Sequence, residues 1–264
     1  MDFATLNGVT LAYRLDGPET GTPLVLANSL GTDARIWDGV IARLAGRYRI
    51  LSYDKRGHGL SDAPSGPYSL DDLVSDLGAL TDHVGMPRFA LCGVSVGGMI
   101  GQLFAARHGN RLDALVLCNT AAKIGDAVLW NTRIDTVGRV GMVAISEAIL
   151  DRWFSPDFRS LHPSEYLGYR NMLERCSPAG YAATCAAIRD GGLRDRLGSI
   201  ATPTLLIAGE HDGSTPPALV RDTAALIQNA RFEVIERCGH IPSIEQPDRL
   251  AMLIDGHIEE ARHV

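Results

Sequence analysis

Hydrophobic and polar positions follow two alternating rhythms along this chain, one of period two or continuous and one of helical spacing. Residues 2–16 alternate on either side of Asn7-Gly8, a dipeptide favoured in tight hairpin turns, which predicts a pair of antiparallel strands. Leu24-Val25-Leu26-Ala27 is a continuous apolar run of the kind buried on both faces of a parallel sheet. Ile36 to Leu44 then carries helical periodicity, and Tyr48 to Tyr53 reads as the next strand. Leu70 to Val84 places apolar residues on one helical face, with Asp71 and Asp72 in the first turn where the helix dipole favours them. Phe89 to Cys92 and Ala114 to Cys118 repeat the buried-strand pattern, and Met99 to Ala106 lies between them with helical spacing.

After Asn119-Thr120 the rhythm changes. From about Ala121 to Leu197 no buried strand is discernible, and helical spacing such as Val140, Val143, Ala144, Ala148 and Ile149 recurs. Thr204 to Ala208 restores the strand, Pro217 to Ile227 predicts a helix, Arg231 to Ile235 a last strand, and residues 246–260 a closing helix. Strands that alternate with helices imply an α/β fold, a mostly parallel sheet with helices on both faces. Residues 1–120 and 198–264 thus form one core, and residues 121–197 are expected to be a helical cap inserted into it.

The chemistry is concentrated at strand ends. Gly93-Val94-Ser95-Val96-Gly97 stands between the Phe89–Cys92 strand and the helix that follows, and G-x-S-x-G in that context is the signature of a nucleophile elbow. Its glycines leave room for a turn too sharp for side chains, and the N–H of Val96, at a helix start, can face a developing negative charge. A serine hydroxyl needs a positioned base that is itself held by a third group. His240, in Cys238-Gly239-His240-Ile241-Pro242, follows the last strand, and Asp212, in Ala208-Gly209-Glu210-His211-Asp212, follows the one before it. The chain order serine, acid, histidine is that of the elbow fold, and both partners lie at the carboxyl ends of strands. Glu210 is a poorer second choice of acid because it sits closer to its strand, while the strand ending at Cys118 is followed by Asn119 and Thr120 and offers no carboxylate. A second oxyanion donor is expected from the Asn28-Ser29-Leu30-Gly31 loop, with Leu30 its best candidate. His58, in Gly57-His58-Gly59, is placed near the site, behind the residues that react. His211 adjoins the acid on a loop, and His83, His108, His162, His257 and His263 read as surface residues.

Composition narrows the alternatives. The 264 residues are 45% hydrophobic and 21% charged, which is globular, and the formal net charge of −6 disfavours nucleic acid or an anionic membrane as partner. Met1-Asp2-Phe3-Ala4-Thr5 runs directly into a strand pattern without a signal segment, and no apolar run reaches membrane-spanning length, so a cytoplasmic protein is expected. Five cysteines, Cys92, Cys118, Cys176, Cys185 and Cys238, form no C-x-x-C pair and read as buried, reduced thiols. No histidine spacing suits a metal, and neither a dinucleotide fingerprint nor a P-loop is present, so no cofactor is expected.

Five stretches carry a closer resemblance: Leu26-Ala27-Asn28-Ser29-Leu30-Gly31-Thr32, Tyr53-Asp54-Lys55-Arg56-Gly57-His58-Gly59, Cys92 to Gly101, Leu117 to Gly125 and Tyr181 to Asp190. Together they resemble the 3-oxoadipate enol-lactonases of the α/β-hydrolase superfamily. The resemblance implies an eight-stranded, mostly parallel sheet under a helical lid and a small-molecule lactone as substrate. The implied reaction opens an unsaturated five-membered lactone that bears an acetate side chain, in aromatic-compound catabolism, by attack of Ser95 with His240 as base and Asp212 orienting it. The acetate carboxylate then requires a cation, for which Arg133 and Arg189 lead and Lys123 follows, and Trp130 and Trp153 are candidates for the pocket wall. The rival readings are a general carboxylesterase or perhydrolase and, from another class, a non-catalytic receptor on the same fold. Monomer and homo-oligomer are both compatible with the sequence.

Overall fold

The computed structural model describes residues 1–263. Eight strands form one sheet: β1 (Asp2–Leu6), β2 (Val9–Asp16), β3 (Thr22–Ala27), β4 (Tyr48–Tyr53), β5 (Phe89–Val94), β6 (Leu112–Cys118), β7 (Thr204–Gly209) and β8 (Arg231–Ile235). Their order across the sheet is β1-β2-β4-β3-β5-β6-β7-β8. The first two strands pair antiparallel through a hairpin whose turn residues, Asn7 and Gly8, both take positive φ (51° and 75°), as a two-residue turn of this hand demands. β2 joins β4 antiparallel, and every remaining pairing is parallel. β5 and β7 are buried along their whole length, as strands covered by helices on both faces must be.

Helices α1 (Asp38–Leu44), α2 (Leu70–His83) and α3 (Val96–His108) connect the first strands. The single helix expected over Ile36–Leu44 is instead a 3₁₀ turn, Ala34–Trp37, followed by α1, because the Asp33 carboxylate accepts from Arg35 N and starts the turn earlier. α2 begins in a capping box, Ser69 with Asp72. Between β6 and β7 lie five helices and no strand: α4 (Ala127–Val140), α5 (Val143–Trp153), α6 (Phe158–Leu161), α7 (Pro163–Glu174) and α8 (Pro178–Asp190). Helices α9 (Pro217–Ala224), α10 (Pro242–Glu245) and α11 (Pro247–Ala261) complete the core. No described helix is long and apolar enough to cross a membrane. All five cysteines are free and buried.

His257 is not a surface residue but a buried one, on the inner face of α11 with Leu250, Ile254 and Ile258, and its Nε2 lies 3.1 Å from the carbonyl of Pro203. Its spacing of three from Ile254 and seven from Leu250 is the signal that marks it as inward-facing.

Sheet winding fixes where chemistry belongs. From β3 the chain proceeds to β4 on one side, while β5 lies on the other, so the crevice at the carboxyl ends of β3 and β5 is the switch point where open α/β sheets bind ligands. The loops that leave β3, β4 and β5 meet there. The β4 loop is anchored from below by a buried bidentate pair: Arg56 Nε and Nη2 donate to Asp76 Oδ2 and Oδ1 at 2.6 and 2.7 Å, and Asp76 lies on α2. Removing Asp76 leaves the Arg56 charge with only Asp72, 3.7 Å away, so Asp76→Ala is expected to lower unfolding free energy by about 3 kcal/mol. Chemical denaturation measures it, and a loss below about 1 kcal/mol would show that the pair is no anchor.

Candidate active site

Ser95 occupies the turn between β5 and α3 with φ 58° and ψ −116°, a conformation that non-glycine residues adopt only under constraint. The constraint is visible around it. Ser95 N donates to the Cys118 carbonyl at 2.9 Å, and its own carbonyl accepts from Thr120 Oγ1 at 2.7 Å. A Cβ on Gly93 would stand 2.3 Å from the Gly97 carbonyl oxygen, and one on Gly97 would stand 2.2 Å from that of Ala27, so both must be glycine. Val96 is the first residue of α3, and its N–H is therefore one of the first-turn donors without an intrahelical acceptor.

His240 and Asp212 are brought together as their strand-end positions predict. His240 Nδ1 lies 2.8 Å from Asp212 Oδ2, and both side chains are almost fully buried. Asp212 is a hub. Its Oδ2 also accepts from Asn119 Nδ2 at 2.7 Å and Thr215 Oγ1 at 2.6 Å, while its Oδ1 accepts from Ser214 N at 2.7 Å and Thr215 N at 3.0 Å. Burial works against ionisation, but the adjacent His240 and the hydrogen bonds from His240 and Thr215 outweigh it and hold the carboxyl below the usual carboxylate range. Glu210 is directed elsewhere and accepts from Arg237 N at 2.8 Å. Asn119 escaped the sequence reading, which sought only a carboxylate at that strand end. It takes positive φ (49°) and ties Asp212 to the Gly239 carbonyl, which its Nδ2 reaches at 3.1 Å.

Ser29, Leu30, Ser95, Ser214 and His240 form the floor of one cavity, and α4, α5 and α8 roof it with Trp130, Arg133, Ile149, Arg152, Trp153, Tyr181 and Ile188. Among the described residues no hydrogen bond joins Ser95 Oγ to His240, a contact that often tightens only when substrate is bound. Of the cap residues singled out from sequence, Trp130, Arg133 and Trp153 reach the cavity. Arg189 and Lys123 do not line it. Arg189 pairs with Asp190 at 2.7 Å and donates to Asn131 Oδ1 at 2.8 Å, and Lys123 turns its ammonium to the Arg189 carbonyl. Arg152, which the sequence reading passed over, takes a place in the wall instead. Arg133 lies over the Trp130 ring at 5.3 Å, and neither Arg133 nor Arg152 makes an ion pair among the described residues.

The cap is bolted to the base. His240 N donates to the Trp153 carbonyl at 2.7 Å, and Glu245 accepts from Gly239 N at 2.7 Å and Ser155 N at 2.9 Å. His58, which does not line the cavity, accepts the Gly31 N–H through Nε2 at 2.9 Å, so its proton resides on Nδ1, beside the Arg56 carbonyl. Burial and the neighbouring Lys55 keep His58 neutral, well below the usual imidazole range.

An imidazole held by a carboxylate beside a serine in a strained turn, with helix-start N–H groups at hand, is the geometry of acyl transfer. The profile of the Alpha/beta hydrolase family matches residues 24–253. This chain belongs to that family. It is 37% identical to 3-oxoadipate enol-lactonase 2 of Acinetobacter baylyi over 93% of this chain and 92% of that one. It is 33% identical to 3-oxoadipate enol-lactonase 1 of the same organism over 96% and 94% of the two chains. Among solved structures it superposes on the enol-lactonase from Burkholderia xenovorans LB400 with a TM-score of 0.95 and 37% identity, covering 98% of this chain and 100% of that one. The family member described here is a carboxylic-ester hydrolase.

Asp212 also links the site to acid stability. Its folded carboxyl binds a proton less readily than the unfolded chain does, so it stabilises the fold above the unfolded carboxylate range near pH ~4, and the contribution fades as pH falls below it. Asp212→Asn is expected to flatten the fall in stability between about pH 5 and pH 3, measured by urea unfolding at each pH. An unchanged acid slope would mean that the carboxylate is not held ionised.

Proposed function

We propose that this hydrolase opens 3-oxoadipate enol-lactone, a five-membered enol-lactone with an acetate side chain, to 3-oxoadipate in the breakdown of aromatic compounds. The observation that carries this reading is the pair of cap guanidiniums, Arg133 and Arg152, in a wall otherwise dominated by Trp130, Trp153, Ile149 and Ile188 above Ser95. Cations without carboxylate partners beside a nucleophile, Arg133 half-buried and Arg152 at the exposed rim, suit a substrate that brings its own carboxylate to accept their charge-assisted hydrogen bonds. The enol-lactonase relatives, alike over nearly the whole chain, support the same substrate class.

Ser95 Oγ attacks the ring carbonyl as His240 Nε2 takes its proton, and Asp212 stabilises the imidazolium through Nδ1. The N–H groups of Leu30 and Val96 receive the oxyanion. Collapse of the tetrahedral adduct breaks the ring C–O bond, His240 returns the proton to the enolate oxygen, and the enol tautomerises to the ketone. The acyl group stays on Ser95 until a water, deprotonated by His240, attacks it; the acyl–Oγ bond then breaks, His240 returns the proton to Ser95 Oγ, and the second carboxylate is freed. Enolates are good leaving groups, so ring opening needs less acid assistance than an alkyl ester would.

Purified enzyme is expected to remove the ultraviolet absorbance of the lactone, and Ser95→Ala to reduce the rate to the spontaneous one. Arg133→Ala and Arg152→Ala should each raise KM about tenfold while kcat changes little, because a charge-assisted contact made equally in ground and transition states is lost. Lactone consumption no faster than in buffer would end the proposal, and unchanged KM in both arginine variants would end the carboxylate assignment.

A further inference from the structure

The peptide that joins Ser29 to Leu30 has its two ends in different surroundings. Its N–H belongs to Leu30, a residue of the cavity wall, and has no acceptor among the described residues. Its carbonyl, that of Ser29, receives three donors: Lys55 Nζ at 2.5 Å, Thr32 Oγ1 at 3.0 Å and Thr32 N at 3.4 Å. Lys55 is 1% exposed. Burying an ammonium is costly unless something requires it there. The two carboxylates nearest it are committed elsewhere, Asp54 to the N–H groups of Ala34 and Leu60 and Asp33 to Arg35. The following N–H along the same loop, that of Gly31, is taken by His58. The β4 loop thus engages the groups on either side of the Leu30 N–H and leaves that one donor free.

We propose that Lys55 is a positioning residue for the oxyanion hole, acting through the Ser29–Leu30 peptide. By donating to the Ser29 oxygen it fixes the plane of that peptide and draws electron density toward the carbonyl end, which makes the Leu30 N–H a stronger donor to the oxyanion. Hydrogen bonds in series polarise one another, and the effect is larger where water is excluded. Thr32 adds a second, neutral donor to the same oxygen. The inference rests on the reading of Leu30 and Val96 as the oxyanion donors, and it extends the machinery to a residue that touches no substrate.

The test uses the full-length enzyme and p-nitrophenyl acetate, a neutral ester whose turnover is independent of the lactone and of the cap arginines. Wild type, Lys55→Met, Lys55→Gln and Ser95→Ala are compared after near-ultraviolet circular dichroism has confirmed native packing. Loss of part of one oxyanion contact predicts a kcat about tenfold lower in Lys55→Met with KM within about twofold, and Lys55→Gln between it and wild type. Affinity for phenylboronic acid, which forms a tetrahedral adduct on the serine, should weaken in parallel, a response that simple loosening of the fold would not order in this way. A folded Lys55→Met with wild-type kcat and wild-type boronate affinity overturns the proposal. Should neither Lys55 variant fold, Thr32→Val decides through the same carbonyl: a kcat about threefold lower at unchanged KM supports it, and an unchanged kcat overturns it. Absence of ester turnover in wild type, or full activity in Ser95→Ala, would instead remove the reading of the site on which the proposal stands.

Discussion

Everything at this site depends on how closely three stretches of backbone approach one another at the turn after β5. Gly97 packs against the end of β3 so tightly that no side chain fits between it and the Ala27 carbonyl, and Gly93 packs against Gly97 in the same way. That contact holds Ser95 in a conformation that costs on the order of 1–3 kcal/mol, which the parallel β5–β6 and β3–β5 ladders and the Thr120 hydrogen bond can sustain. It also sets the distance between the Asn28–Gly31 loop and the start of α3, whose N–H groups are the proposed oxyanion donors. A looser turn would relax the serine and separate the donors together.

Charge at the site is settled by groups that never meet substrate. Asp212 accepts five hydrogen bonds, from His240, Asn119, Thr215 Oγ1, Thr215 N and Ser214 N, and so keeps its charge in spite of burial. Lys55 is the mirror case: burial pushes its ammonium down to about 7, while nearby Asp54 and Asp33 resist that shift. Beside Lys55 stands neutral His58, whose Nε2 can accept the Gly31 N–H because it carries no proton. The loop after β3 and the acid of the site are therefore held by hydrogen bonds in place before substrate arrives, the kind of preorganisation that costs no rearrangement in the transition state.

How much of this was readable in the residues varies with the range of the interaction. Strand identity and order of chemistry were legible because each depends on a short local pattern: the apolar run Thr204–Ala208, the Asn7-Gly8 turn, the glycines around Ser95, and Asp212 and His240 just past their strands. The cap was legible as a region without strands. Its pocket face was not, because a helix buries some side chains against its neighbours and turns others to the cavity, and only the packing of α4 on α8 decides which. Arg133 and Arg189 look alike in sequence, yet the first reaches the cavity and the second is spent on Asp190 and Asn131. Asn119 was missed for a different reason. An amide that orients a carboxylate carries no motif of its own, and its role exists only through contacts 93 and 120 residues away.

The cap does more than roof the site. Arg152 and Trp153 are adjacent at the end of α5: the first side chain faces the cavity, and the second residue's carbonyl accepts the N–H of His240. Glu245 fastens the same junction by accepting from Gly239 N and Ser155 N. Any ligand that draws on Arg152 therefore bears on a helix end whose next carbonyl locates the backbone of the base. The cavity wall and the imidazole are thus joined through the end of α5. In a core shared across a broad hydrolase family, the elbow is fixed by strands of the sheet, while the backbone of His240 is tied to the cap, the helical part of the cavity's enclosure.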